Sequence, residues 1–178
     1  LRQPEIDAMY SSGAAVLGCG PDELAFTDSA TRAWTSLFSS LPLRAGQRIL
    51  VGRSEYISNA FALLQAIERH GVEVEVIPDD DTGQISLEAL ESAIDERTRL
   101  IALTHVPTGG GLVNPAAEVG AIAKRQGIPY LLDACQSVGQ LAVNVDHIGC
   151  DMLSFTGRKF VRGPRGTGML YVRSGFLD

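Results

Sequence analysis

Seven short apolar runs alternate with amphipathic stretches of helical period along this sequence, and that alternation leaves few folds open. The runs are Leu24 to Thr27, Arg48 to Gly52, Glu73 to Ile77, Leu100 to Thr104, Pro129 to Asp133, Asp151 to Phe155 and Gly168 to Val172. Helical periodicity is good in Pro4 to Leu17, Ser29 to Ser40, Ile57 to His70, Ser86 to Asp95 and Pro115 to Gln126. Strands separated by helix-length segments are joined by right-handed crossovers, which cover both faces of a parallel sheet. The expected fold is therefore α/β, three-layered as α/β/α, around a mostly parallel seven-stranded sheet.

Helix ends support this reading. His70-Gly71 and Gln126-Gly127 each place a glycine where a left-handed C-cap is wanted. The stretch from Ala134 to Gly149 is the one long connection expected to lack a covering helix. The link between the runs around Ser154 and Met169 is rich in Gly and Arg and too short for a crossover, so the last strand is expected to run antiparallel to its neighbour.

With 178 residues, 45% of them hydrophobic and 20% charged, residues 1–178 suffice for one buried core, so one domain is the expectation. The chain starts at Leu1 rather than Met and stops soon after a strand-like run, and is expected to be an excerpt of a longer protein. A net charge of −6 leaves no basic stripe for nucleic acid, whereas Arg158, Arg162 and Arg165 make a local cluster suited to an anion. Cys19, Cys135 and Cys150 lie far apart, without the spacing of a zinc site or redox dithiol, and a reducing cytoplasmic setting is expected. No apolar run approaches the roughly 18 to 20 residues of a membrane span. Asp79 to Gly83 reads as a solvated turn.

In parallel α/β sheets ligands gather at the carboxyl ends of strands, and four such ends carry chemistry. At Phe26 to Trp34 a strand gives way to small and hydroxyl residues opening a helix, whose free N–H groups, with the Ser29 or Thr31 hydroxyl, form either an anion site or a plain N-cap. At Leu131 to Gln136 a strand ends on Asp133, a carboxylate that needs a partner if buried, a protonated ring nitrogen being one, or else serves as a turn-former. At Ser154 to Phe160, Lys159 follows a small hydroxyl-bearing turn. Arg158 beside it would disfavour the second positive charge and favour the free amine that imine formation needs, although on this segment alone a plain surface lysine is the stronger reading. At Thr104 to Gly111 a strand runs into three glycines that let backbone approach a ligand; His105, at the strand end, is a candidate neighbour. Neither G-x-G-x-x-G nor G-x-x-x-x-G-K-[ST] occurs, which takes away most of the support for dinucleotide and nucleoside triphosphate readings.

The order and spacing of D-A-C-Q-S-V-G-Q (133–140), G-C-D-M-L-S-F-T-G-R-K (149–159) and G-P-R-G-T-G-M-L-Y-V (163–172) resemble the large domain of the class V aminotransferase family. These are fold type I enzymes dependent on pyridoxal 5'-phosphate (PLP) and include cysteine desulfurases and selenocysteine lyases. The resemblance implies that Lys159 carries PLP as a Schiff base, that Asp133 partners the ring nitrogen and that Gln136 meets the ring oxygen. It further implies that Ala30 and Thr31, with Thr156 and Arg158, grip the phosphate, that Tyr56 stacks on the ring and that Thr108 approaches the cofactor oxygen or the substrate. Desulfurases of the family usually carry His at the positions of Tyr56 and Arg158 and Asn at that of Thr108, and Arg162 adds one residue to the usual lysine-to-G-P spacing.

The resemblance implies a PLP-dependent enzyme acting on amino acids, with cysteine desulfurase or C–S lyase chemistry first. Transaminase or epimerase chemistry, or a non-catalytic binding module, are the alternatives. The implied small domain, sulfur-accepting cysteine and carboxylate-binding arginine lie beyond this sequence, and Cys135 is expected to pack rather than accept sulfur. No metal is implied. The family is typically homodimeric, with Gly109 to Val113 or Arg162 to Arg165 expected to meet the partner.

Overall fold

The computed structural model describes residues 2–176. In chain order the elements are α1 (Gln3–Leu17), β1 (Leu24–Thr27), α2 (Ala30–Ser40), β2 (Arg48–Val51), α3 (Ile57–His70), β3 (Glu73–Val76) and α4 (Leu87–Ala93), followed by β4 (Thr98–Thr104), α5 (Ala116–Gln126), β5 (Tyr130–Asp133), α6 (Val145–Ile148), β6 (Met152–Thr156) and β7 (Gly168–Val172). A single 3-10 turn, Pro21–Glu23, precedes β1.

The seven strands form one sheet in the order β1-β7-β6-β5-β4-β2-β3. The pairs β2–β3, β2–β4, β4–β5 and β5–β6 are parallel, and β7 is antiparallel to both of its neighbours, β1 and β6. The expected antiparallel last strand is thus present, and it is inserted between β1 and β6 rather than added at an edge. The carboxyl ends of the parallel strands and the start of β7 consequently meet at one end of the sheet.

Strand side chains alternate between two cores. Leu50, Ile101, Leu103, Tyr130, Leu132 and Leu153 face one core, to which α1, α4, α5 and α6 contribute Leu17, Leu90, Val119 and Ile148. Ile49, Val51, Leu100, Ala102, Leu131 and Met152 face the other, covered by Trp34, Leu37 and Phe38 of α2 and Leu63 and Ala66 of α3. Three layers result. Truncating a fully buried member such as Leu132 to alanine costs about 2–5 kcal/mol.

The helices stop where the glycines allow it. Gly71 (φ 67°) and Gly127 (φ 65°) take the left-handed conformation that closes α3 and α5. The edge strand β3 has Glu73 paired with Arg97 at 3.0 Å and Glu75 with Arg48 of its neighbour β2, so ion pairs tie the edge strand to the elements inside it. Two expectations need correction. The connection 134–149 is not free of helix, since Val145–Ile148 forms a single capped turn in which Asn144 accepts the His147 N–H. One turn is too brief to leave a periodic signal. Helix α4 is also shorter than Ser86 to Asp95, because Ser86 is its cap and the backbone is already extended at Ile94.

Candidate active site

The helix α2 begins two residues after β1, with Ser29 as N-cap accepting the Arg32 N–H at 3.1 Å. The N–H groups of Ala30 and Thr31 belong to the first turn and have no partner within the helix by position. Gly168, the first residue of β7, lies so close that a Cβ built on it would stand 2.4 Å from the Ser29 carbonyl carbon. Only glycine lets β7 meet this helix start. Thr31 Oγ1 lies 3.3 Å from Ser58 Oγ, on the first turn of α3, so a second hydroxyl faces the same opening.

Asp133 ends β5 and is buried, 4% exposed. Its Oδ1 accepts the Cys135 N–H at 3.0 Å and its Oδ2 accepts the Asn59 amide at 2.9 Å. Among the described residues no lysine or arginine forms an ion pair with it. A buried carboxylate served by two neutral donors retains capacity for a cationic partner.

Lys159 sits on the turn after β6. That turn is closed by Gly163 N–H to Gly157 O at 2.7 Å, Arg162 N–H to Lys159 O at 3.0 Å and Gly157 N–H to Thr167 O at 3.0 Å. Gly139 (φ 93°) packs beneath it, where any Cβ would fall 2.6 Å from the Phe160 carbonyl carbon. The Lys159 Nζ lies 5.8 Å from the centroid of the Tyr56 ring, within reach of the ring's negative face. Arg162 is the one non-glycine residue at positive φ (60°) among the described residues, at the position where the sequence carries its extra residue.

These features border one cleft of about 550 Å³, counted to its open mouth. Every position singled out by the resemblance lines it: Ala30, Thr31, Tyr56, Thr108, Asp133, Gln136, Thr156, Arg158 and Lys159. Gln136 Nε2 donates to Thr108 Oγ1 at 3.0 Å, joining two of them. Ser58, Asn59, Thr104 and Val106 also line the cleft and were not singled out. Asn59 had a readable signal, a polar side chain in the sheet-facing stripe Asn59, Leu63, Ala66 of α3. His105 does not line the cleft; it is buried with Nδ1 unpartnered, and burial pushes its pKa down toward the neutral imidazole.

Two titratable neighbours are shifted. Burial, and then the adjacent Asp133 charge, push the Cys135 thiol far up, which disfavours the thiolate a sulfur acceptor needs. Glu55 accepts the Thr104 N–H at 2.8 Å and pairs with its hydroxyl at 2.9 Å, yet burial, with the Asp133 charge, still pushes it up to about 7.

The family model described as aminotransferase class-V matches residues 7–178. The chain belongs to this family. A probable cysteine desulfurase of Methanothermobacter thermautotrophicus is 38% identical over 158 residues, 89% of this chain and 39% of that protein. The apo cysteine desulfurase of Thermococcus onnurineus has the same fold, with a TM-score of 0.89 at 29% identity over 96% of this chain and 43% of that one. So does C-DES, a cystine C–S lyase solved as a variant with glycine covalently linked to its PLP cofactor, with a TM-score of 0.91 at 25% identity over 98% of this chain and 47% of that one. This class-V aminotransferase chain therefore spans about two fifths of the length of the first curated relative. No helix among the described residues is long and apolar enough to cross a membrane.

Proposed function

We propose that residues 1–178 are the PLP-binding large domain of a PLP-dependent enzyme that acts on cysteine or a related β-substituted amino acid, with desulfurase or C–S lyase chemistry. The observation that carries this reading is Asp133, a buried carboxylate with two neutral donors and no ion pair, opening on a cleft that Lys159 also lines. The donor set fits the cofactor at both ends. Ala30 and Thr31, with Thr156 and Arg158, would hold the phosphate, and Asp133 would face the ring nitrogen. Gln136 and Thr108 would meet the ring oxygen, and Tyr56 would lie on the ring face.

PLP, when bound, supplies an electron sink for charge developing at the substrate α-carbon. Asp133 would face the ring nitrogen, its two oxygens already held in place by Asn59 and the Cys135 N–H. The Lys159 amine would hold the cofactor and would be the base that takes and returns the proton at the substrate α-carbon. Tyr56 excludes water from one face.

A second reading within the family, transamination or epimerisation, is favoured by one observation: no histidine lines the cleft among the described residues, where desulfurases usually carry two. A cytoplasmic homodimer is proposed on the resemblance, with exposed Gly109 to Gly111, Val113 and Arg162 as parts of the contact. The deciding measurement is the visible absorbance of the purified full-length protein with PLP. A yellow protein that loses its colour on Lys159→Ala is expected; wild type that stays colourless after PLP is added would sink the reading. Sulfide or persulfide release from cysteine without added keto acid separates the lyase and desulfurase outcomes from transamination.

A further inference from the structure

Asn59 and Glu55 connect the ends of two strands. Asn59 is 1% exposed, and its amide nitrogen lies 2.9 Å from Asp133 Oδ2 and 3.5 Å from Glu55 Oε2. One NH2 group is therefore divided between two carboxyls. Glu55 reaches across to Thr104 with both oxygens, at 2.8 Å to its N–H and 2.9 Å to its hydroxyl. Thr104 ends β4, Asp133 ends β5, and the two are paired in register. The bonds Thr104–Glu55–Asn59–Asp133 and the strand pairing close a ring.

We propose that Asn59 and Glu55 are positioning residues that hold the Asp133 carboxylate in one orientation toward the cleft. A carboxylate can rotate about its terminal bond, and a ring nitrogen is well served in only a narrow range of that rotation. The Cys135 N–H fixes one oxygen from the chain's own turn. Asn59 fixes the other, and Glu55 fixes Asn59 by engaging its second amide hydrogen. The ring tolerates a proton on Glu55, because Oε2 then donates to Thr104 Oγ1 where it formerly accepted, and the hydroxyl turns to suit. The brace needs an acceptor at Oε2 for the Asn59 amide, which a protonated carboxyl keeps, and not a charge.

The inference rests on the PLP reading only in naming the ring nitrogen as the partner of Asp133, so its test has one arm with the cofactor and one without. In the full-length protein, Asn59→Leu keeps the bulk and removes the amide, Glu55→Ala breaks the whole link, and Glu55→Gln keeps an acceptor for the Thr104 N–H and a donor for its hydroxyl but turns that donor toward the Asn59 amide, where the carboxyl accepted. Absorbance titration with PLP is expected to give about tenfold weaker binding for Asn59→Leu and Glu55→Ala, the loss expected from one charge-assisted hydrogen bond. Glu55→Gln should bind as weakly as Glu55→Ala does, and wild-type binding by Glu55→Gln would overturn the Asn59 link. The double variant Asn59→Leu/Glu55→Ala should be no worse than Asn59→Leu alone, since Glu55 acts through Asn59. The midpoint of the pH-dependent colour change of bound PLP should move to higher pH in Asn59→Leu, because a ring nitrogen that loses its proton no longer opposes protonation elsewhere on the cofactor. Without PLP, hydrogen exchange of the segment 131–136 should speed up in Asn59→Leu, Glu55→Ala and Glu55→Gln, with α5 unchanged. Wild-type exchange in the segment 131–136 of Asn59→Leu would overturn the brace and leave the PLP reading standing. Faster exchange in a protein that never takes up PLP would support the brace and overturn the cofactor reading.

Discussion

The Asn59 amide nitrogen donates to Asp133 Oδ2 across 2.9 Å, joining α3 to the end of β5. Replacing that amide by a carboxyl in Asn59→Asp would set two buried carboxyls face to face, which cannot both ionise. The expected result is a protein more stable at acid than at neutral pH relative to wild type, read from urea midpoints at several pH values.

Glu55 gives a second pH prediction. Its pKa in the folded protein is pushed from the ordinary value of 4.5 up to about 7. Between those values the folded protein binds more protons than the unfolded chain, so this group's contribution to stability is fully present below about 4.5 and is lost as pH rises through about 7. Glu55→Gln should flatten the fall in stability over this window, where one proton contributes at most about 1.4 kcal/mol per pH unit. A slope unchanged from wild type would show that Glu55 does not titrate there.

Gly168→Ala forces a Cβ into the start of α2, 2.4 Å from a backbone atom that cannot move aside as a side chain could. A loss of about 1–3 kcal/mol is expected from overpacking, together with weaker PLP binding, because Ala30 and Thr31 would be displaced. Chemical denaturation and PLP titration check the two effects separately.

Cys135→Ser should leave turnover near that of wild type, since the thiol is pushed up by burial and by Asp133 and holds its proton. Loss of persulfide formation in this variant, with PLP still bound, would make Cys135 the sulfur acceptor after all.

Tyr56 tests the ring-stacking role. Phenylalanine keeps the aromatic face and should bind PLP as wild type does, whereas Tyr56→Ala should weaken binding by about tenfold, the order expected for an aromatic contact. Equal binding by both variants would remove the stacking assignment.

Much of this architecture was legible in the sequence because the strands are nearly pure apolar runs and the larger helices carry a clear stripe. Lys159 and Asp133 were legible because each comes after a strand or at its end, where α/β ligands gather. The roles of Asn59 and Thr104 were not: Asn59 stands out as a polar residue in an apolar stripe and Thr104 as a strand end, but what each one does depends on a partner that the local sequence does not name. Asn59 needs Asp133, and Thr104 needs Glu55, from segments far away in the chain. The place of β7 was likewise hidden: its direction could be read from the short link after β6, but nothing local says that β1 lies on its far side.

That placement bears on how the protein is made. Leu24 of β1 pairs with Tyr171, and among the described residues β7 is the only strand beside β1. A chain emerging from the ribosome must therefore carry α1 and β1 without a strand partner until residues 168–172 have also been synthesised. Contacts this distant close slowly, and Leu24, buried in the finished sheet, stays uncovered beside Phe26 in the meantime. Holding that N-terminal surface until β7 arrives is a natural task for a chaperone, and yield in the cell should depend on it more than the finished stability would suggest.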